Sequence, residues 1–154
     1  MSSRPKRRRI KFHEPSEITR EAQRLLAAGY DRAGRWSLGK ICRHITQAIY
    51  ASRDGFGGWR IPGGSVLGKP ALWLILASEW VPPGVRIPRA AKPQEPASEE
   101  GAVGEMGEAI AILQNHAGPW APHPLFGHMS TAQWRRYHLI HAAHHFSFLL
   151  PRGG

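Results

Sequence analysis

The sequence predicts an all-α protein, a four-helix up-and-down bundle with one long crossover and one extra short helix. Three observations support this. Apolar residues recur at the 3.6-residue helical period in four segments, each beginning near a serine able to cap a helix. Pro82, Pro83, Pro88, Pro93 and Pro96 crowd one stretch, which marks a long extended connection. The length, 154 residues, suits a single domain. A domain of that size buries roughly 68–70% of its unfolded surface.

Residues 1–12 read as a basic, disordered arm, and residues 13–151 as one helical domain. Ser16 is placed as the cap of a first helix over residues 17–28, with Ile18, Ala22, Leu25 and Leu26 on its inner face and Gly29 at its end. Ser37 caps a second helix running to about residue 52, where Trp36 and Ile41 stand at hydrophobic-staple positions. Residues 54–64 are a glycine-rich loop whose spacing matches neither a P-loop nor a dinucleotide fingerprint. Leu67 to Val81 is the most apolar run, and a short packed helix is expected over 69–80. Ser98 opens the next long helix, with Glu99 and Glu100 at its positive end and Val103, Met106, Ile110 and Leu113 inward. Ser130 and Gln133 form a capping box for the last helix, which Pro151 closes.

That last helix holds most of the chemistry. His138, His141, His144 and His145 fall within eight residues. An α-helix advances about 100° per residue, so with Trp134 at zero, His138 lies near 40°, His141 near 340°, His145 near 20° and Phe148 near 320°. Three imidazoles therefore share the stripe expected to face the core, while His144 sits about 80° away. Burying three imidazoles together asks for a partner, and a metal ion is the most economical one. His141 and His145, four residues apart, can converge on one ion. A third ligand must come from elsewhere. His44 is the candidate, at the edge of the face formed by Ile41, Ile45 and Ala48.

Two phrases carry a family resemblance: Trp36-Ser37-Leu38-Gly39-Lys40-Ile41-Cys42-Arg43-His44, and His141-Ala142-Ala143-His144-His145. They resemble the DinB/YfiT-like superfamily of small metalloenzyme-like bundles. The branch most similar is domain of unknown function 1569, through His123-Pro124-Leu125-Phe126-Gly127, Trp134, and the run from His141 to Phe148. The likeness spans roughly residues 8–151. It implies a DinB-like bundle, a divalent-metal site on His44, His141 and His145, and metal-dependent thiol transfer or hydrolysis on a small molecule. Zinc suits imidazole ligands best, and nickel or iron accept the same set. Three neutral imidazoles leave the ion its charge and leave positions open for water or substrate. His123 and His138 are the candidate catalytic residues, as fourth ligand, supporting hydrogen-bond partner or general base. Trp134 is expected beside the metal and the other tryptophans in core or pocket wall. A low-molecular-weight thiol is a candidate partner, and a homodimer stays open.

Rival chemistries find little in the chain. Cys42 is the one cysteine, too few for a disulfide or a Cys-rich zinc site, and it points about 200° away from His44. No serine sits in a Gly-x-Ser-x-Gly setting. Glu105 and Glu108 read as a solvent-facing pair, and His13, His116 and His128 carry no assigned role. The net charge is +10, but Arg4, Lys6, Arg7, Arg8, Arg9 and Lys11 supply six of those charges, which leaves +4 for the rest. Such an arm can hold phosphates nonspecifically, and no motif points to sequence-specific nucleic-acid reading. No stretch reaches the ~18 apolar residues of a membrane span, so no membrane partner and a cytoplasmic location are expected. The alternative to an enzyme is a binding or structural bundle whose histidines are simply packed.

Overall fold

Ser37, Ser98 and Ser130 each accept a hydrogen bond from the backbone N–H three residues on, and each opens a helix. In the computed structural model, which describes residues 6–82 and 92–153, the elements are α1 (Pro15–Ala28), β1 (Tyr30–Arg32), α2 (Leu38–Asp54), α3 (Gly64–Ser78), α4 (Glu99–Asn115), α5 (Thr131–Phe146) and β2 (Leu149–Pro151). The protein is a mostly helical bundle with a two-stranded sheet of three residues per strand.

Two local expectations change. Helix α1 starts at Pro15, and Ser16 lies inside it. Proline fits the first helical position because its missing N–H would have no partner there. The carboxylate of Glu17 accepts from the N–H of Glu14 (3.1 Å) and of His13 (2.5 Å), taking the capping role expected of Ser16. At the other end of the chain, α5 stops at Phe146, before Phe148 and Pro151. Leu149–Pro151 instead pairs antiparallel with Tyr30–Arg32, Arg32 opposite Leu149. Arg152 reinforces that pairing with an ion pair to Asp31 at 2.6 Å.

Helix α3 also begins earlier than expected, at Gly64, and carries Pro70 on its exposed side. It lies very close to the loop after His123. A Cβ added at Gly68 would stand 2.0 Å from the Leu125 carbonyl oxygen, so only glycine permits this approach. The helix is not packed all round, because Leu67, Trp73 and Leu74 on its outer face are exposed. Of the tryptophans, Trp59, Trp73 and Trp80 are exposed and line no core.

Two apolar clusters hold the bundle together. The larger joins Ile18, Leu25, Leu38, Ile41, Ile45, Ile49, Met106, Leu113 and Phe146, all essentially inaccessible. Each such side chain stabilises the fold by ~1.5–3 kcal/mol relative to exposure. The smaller cluster joins Leu72, Phe126, Met129 and Trp134, with Phe56, Trp120 and Tyr137 packed against it. Of the basic arm, residues 6–12 run along the body without helix or strand. Phe12 is buried against Phe146 edge-to-face, Arg8 pairs with Glu21, and the Arg8 N–H donates to the Ser147 carbonyl (2.9 Å). The described part of the arm is thus docked, contrary to the expectation of disorder. The prolines Pro83 and Pro88 of the long crossover lie outside the described residues. No helix among the described residues is long and apolar enough to cross a membrane.

Candidate metal centre

His44 sits two turns into α2, and His141 and His145 occupy the last two turns of α5. Apolar burial of α2 through Ile41, Ile45 and Ile49 turns its His44 edge toward α5. The three rings converge. Nε2 of His141 lies 3.1 Å from Nε2 of His44 and 3.2 Å from Nε2 of His145. One ligand atom from each ring lies within 4.8 Å of the other two.

The donor set suits a cation. Nitrogens each ~2.0–2.1 Å from one zinc ion stand ~2.8–3.4 Å apart for bond angles between right and tetrahedral. Among the described residues, the polar partners of these rings are one another's Nε2 atoms alone. Two neutral imidazoles can share one proton as N–H···N, but His141 Nε2 has a single lone pair or N–H for two partners, so without a cation both contacts must share it. A cation satisfies all three at once. The rings are also kept neutral, the form that ligates. Burial, and then the charge of His144, pushes His44 down to about 4. His141 and His145 are held well below the ordinary histidine range, first by burial, then His141 by His145 and His44, and His145 by His44 and His144. The C-terminal end of α5 adds its negative dipole in the same place.

Aromatic rings fix the orientation. The Trp36 indole lies parallel to His145, with an interplanar angle of 4° and centroids 5.3 Å apart, and meets His44 edge-on at 5.2 Å. Tyr137 stacks on His141 at 9° and 5.6 Å. These two residues, rather than Trp134, flank the imidazole cluster. Tyr137, four residues before His141, is not marked by spacing, because the same face is already crowded with candidate residues. Trp36 is a helix staple by spacing and opens the phrase that ends at His44, and neither signal places it against His145.

The two candidate catalytic histidines lie elsewhere. His138 is buried and stacks on Trp134 (21°, 5.4 Å) in the smaller apolar cluster. The Ser52 hydroxyl donates to the Ile49 carbonyl (2.7 Å), so its oxygen accepts from His138 Nε2–H (2.9 Å). His138 Nδ1 and Trp134 Nε1 are then buried with no hydrogen-bond partner among the described residues. His138 titrates at about 3, driven down by burial and then by His123. His123 Nδ1 accepts from the N–H groups of Leu125 (3.0 Å) and Phe126 (3.1 Å), which pins the loop and leaves the proton on Nε2. Burial lowers it to about 4. Tyr137 links the two regions, packing on His123 at 5.5 Å as well as on His141. His144 is half-buried and turned toward Phe148. Cys42 is fully buried and its thiol is pushed up to about 12 by burial and then by Glu99, so it offers no nucleophile.

No curated protein and no solved structure matches the chain. A family model does, over residues 4–152, and its description is "Protein of unknown function (DUF1569)". That match takes in both α2 and α5, the helices that supply the three imidazoles. The chain belongs to the DUF1569 family of proteins of unknown function.

Proposed function

We propose that the protein is a metal-dependent enzyme acting on a small molecule, of the kind its resemblance to DinB/YfiT-like proteins implies. The observation that supports this reading is the convergence of three neutral Nε2 atoms from two distant segments. His44, His141 and His145 would hold a divalent ion, zinc before nickel or iron. A bound ion of this kind supplies Lewis acidity and lowers the pKa of a thiol or water in its open position. The protein's own part is to hold the imidazoles unprotonated by burial and to fix their planes with Trp36 and Tyr137. Thiol transfer and hydrolysis are the two reaction classes that use such a site. His123 Nε2–H is the proton-bearing group that the Tyr137 ring connects to the cluster.

The test is turnover by the metal-loaded protein, offered an activated electrophile with and without a low-molecular-weight thiol. Product that requires the thiol, and that disappears on chelation and in His141→Ala, supports transfer. Product without thiol, with the same two losses, supports hydrolysis. Activity that survives chelation and the substitution contradicts the reading. The rival reading, a packed histidine cluster in a non-catalytic bundle, draws on the same 3.1 and 3.2 Å separations taken as N–H···N hydrogen bonds. It predicts no metal uptake.

A further inference from the structure

Helix α3 is apolar on both sides. Its inner face rests on the smaller cluster through Leu72, yet on its outer face Val66, Leu67, Trp73 and Leu74 are 75, 64, 71 and 60% exposed. These positions, at i, i+1, i+7 and i+8, form one continuous stripe along the helix. Trp59 before the helix and Trp80 after it are exposed as well. A monomeric protein rarely leaves such a patch open to water without a use for it.

The surroundings of the stripe are cationic. Helix α3 itself carries Lys69 and no acidic residue, and Arg60 adjoins Trp59. Glu79, just past its end, is neutralised by Lys11 at 2.6 Å and by Arg136 at 3.4 Å. The Lys11 contact brings the basic arm to the C-terminal end of α3, and Lys6 and Arg9 of the same arm are exposed. An apolar helix face next to a cluster of lysines and arginines is the combination that binds an anionic lipid surface. Tryptophan favours the headgroup boundary, where its ring is buried and its N–H stays wet. A second copy of this chain fits less well, because pairing the two stripes would bring these cations together on chains of net charge +10.

We infer that α3 and the basic arm form a docking surface for anionic phospholipid bilayers, with the helix lying flat in the interface. Its 15 residues reach ~22 Å, short of the ~30 Å hydrocarbon core, so the helix rests on the membrane rather than crossing it.

The experiment is co-sedimentation of the full chain with phosphatidylcholine vesicles, with and without phosphatidylglycerol. The wild type should bind only the anionic vesicles, with a blue shift in tryptophan emission and weaker binding in high salt. Leu67→Glu combined with Trp73→Glu should lower binding more than tenfold, and Lys6→Ala combined with Arg9→Ala about tenfold. Both are exposed sites, and circular dichroism checks that each variant is folded. Failure of the wild type to bind anionic vesicles overturns the inference, as does binding that ignores the α3 substitutions. A wild-type dimer that the α3 substitutions dissolve, with no vesicle binding, would assign the stripe to a second copy instead.

Discussion

Trp36 and His145 lie parallel, 4° apart in plane and 5.3 Å apart at their centroids, although 109 positions separate them in the chain. This contact ties the start of α2 to the end of α5 beside the imidazole cluster. A ligand ring held in one orientation loses less freedom on binding an ion. Trp36→Leu should therefore weaken zinc affinity ~10-fold, as loss of an orienting partner commonly does. Trp36→Phe should weaken it less. Competition titration with a chromogenic chelator reads both values, and equal affinities in all three proteins would remove Trp36 from the account.

Acid should destabilise the native fold as soon as pH falls below the ordinary histidine value of 6.5. His44, His123 and His138 have native pKa values near 4, 4 and 3, against an ordinary value of 6.5. Between those limits the unfolded chain binds protons that the native chain refuses, so stability rises with pH. It is complete above 6.5 and falls as pH drops through the interval toward 4 and 3. At one unit below 6.5, the buried His138 alone accounts for ~1.4 kcal/mol. Urea unfolding of metal-free protein at several pH values should show this slope, and His138→Gln should flatten it.

Ser52 offers a separate test of the smaller cluster. It accepts from His138 Nε2–H in a fully buried setting, and His138 Nδ1 already lacks a partner among the described residues. Ser52→Ala should cost ~1–3 kcal/mol by leaving a second buried ring nitrogen unpaired. Its metal stoichiometry should match the wild type, because none of the three converging nitrogens touches Ser52. A fall in metal content would show that the two histidine groups act as one.

Gly68 sets how closely α3 can approach the His123 loop. A methyl group there meets the Leu125 carbonyl oxygen at 2.0 Å, a backbone atom that cannot swing aside. Gly68→Ala should destabilise the protein by ~1–3 kcal/mol through overpacking. Chemical denaturation measures it, with Ala77→Gly on the exposed side of the same helix as a control for helix propensity.

The sequence disclosed the long helices because their start signals are local. Ser37, Ser98 and the Ser130–Gln133 box lie within one turn of the groups they cap, and the apolar spacing behind them needs no tertiary knowledge. His44, His141 and His145 were legible in part, since the pair on one helix follows from spacing and the third from the motif around Ser37. The remainder depends on contacts between distant segments. Strand β2 exists because Arg32 meets Leu149, and no local pattern in three residues announces that. Trp36 over His145 and Tyr137 over His141 are likewise products of packing. The start of α1 differs from the Ser16 cap that the sequence suggests, because Pro15 at the first position and the Glu17 carboxylate perform the task instead. Helix α3 starts at Gly64, ahead of the apolar run from Leu67, because its early glycines let it pack against the Leu125 loop, a contact that no local pattern announces.

Metal content of untagged protein, compared between wild type, His44→Ala and His145→Ala, tests the central claim most directly. About one divalent ion per chain is expected in the wild type, lost in both variants, one from α2 and one from α5, with the helical content of each retained. A wild type that contains no metal and takes up neither zinc, nickel nor iron would contradict it, and the three imidazoles would then be packing alone.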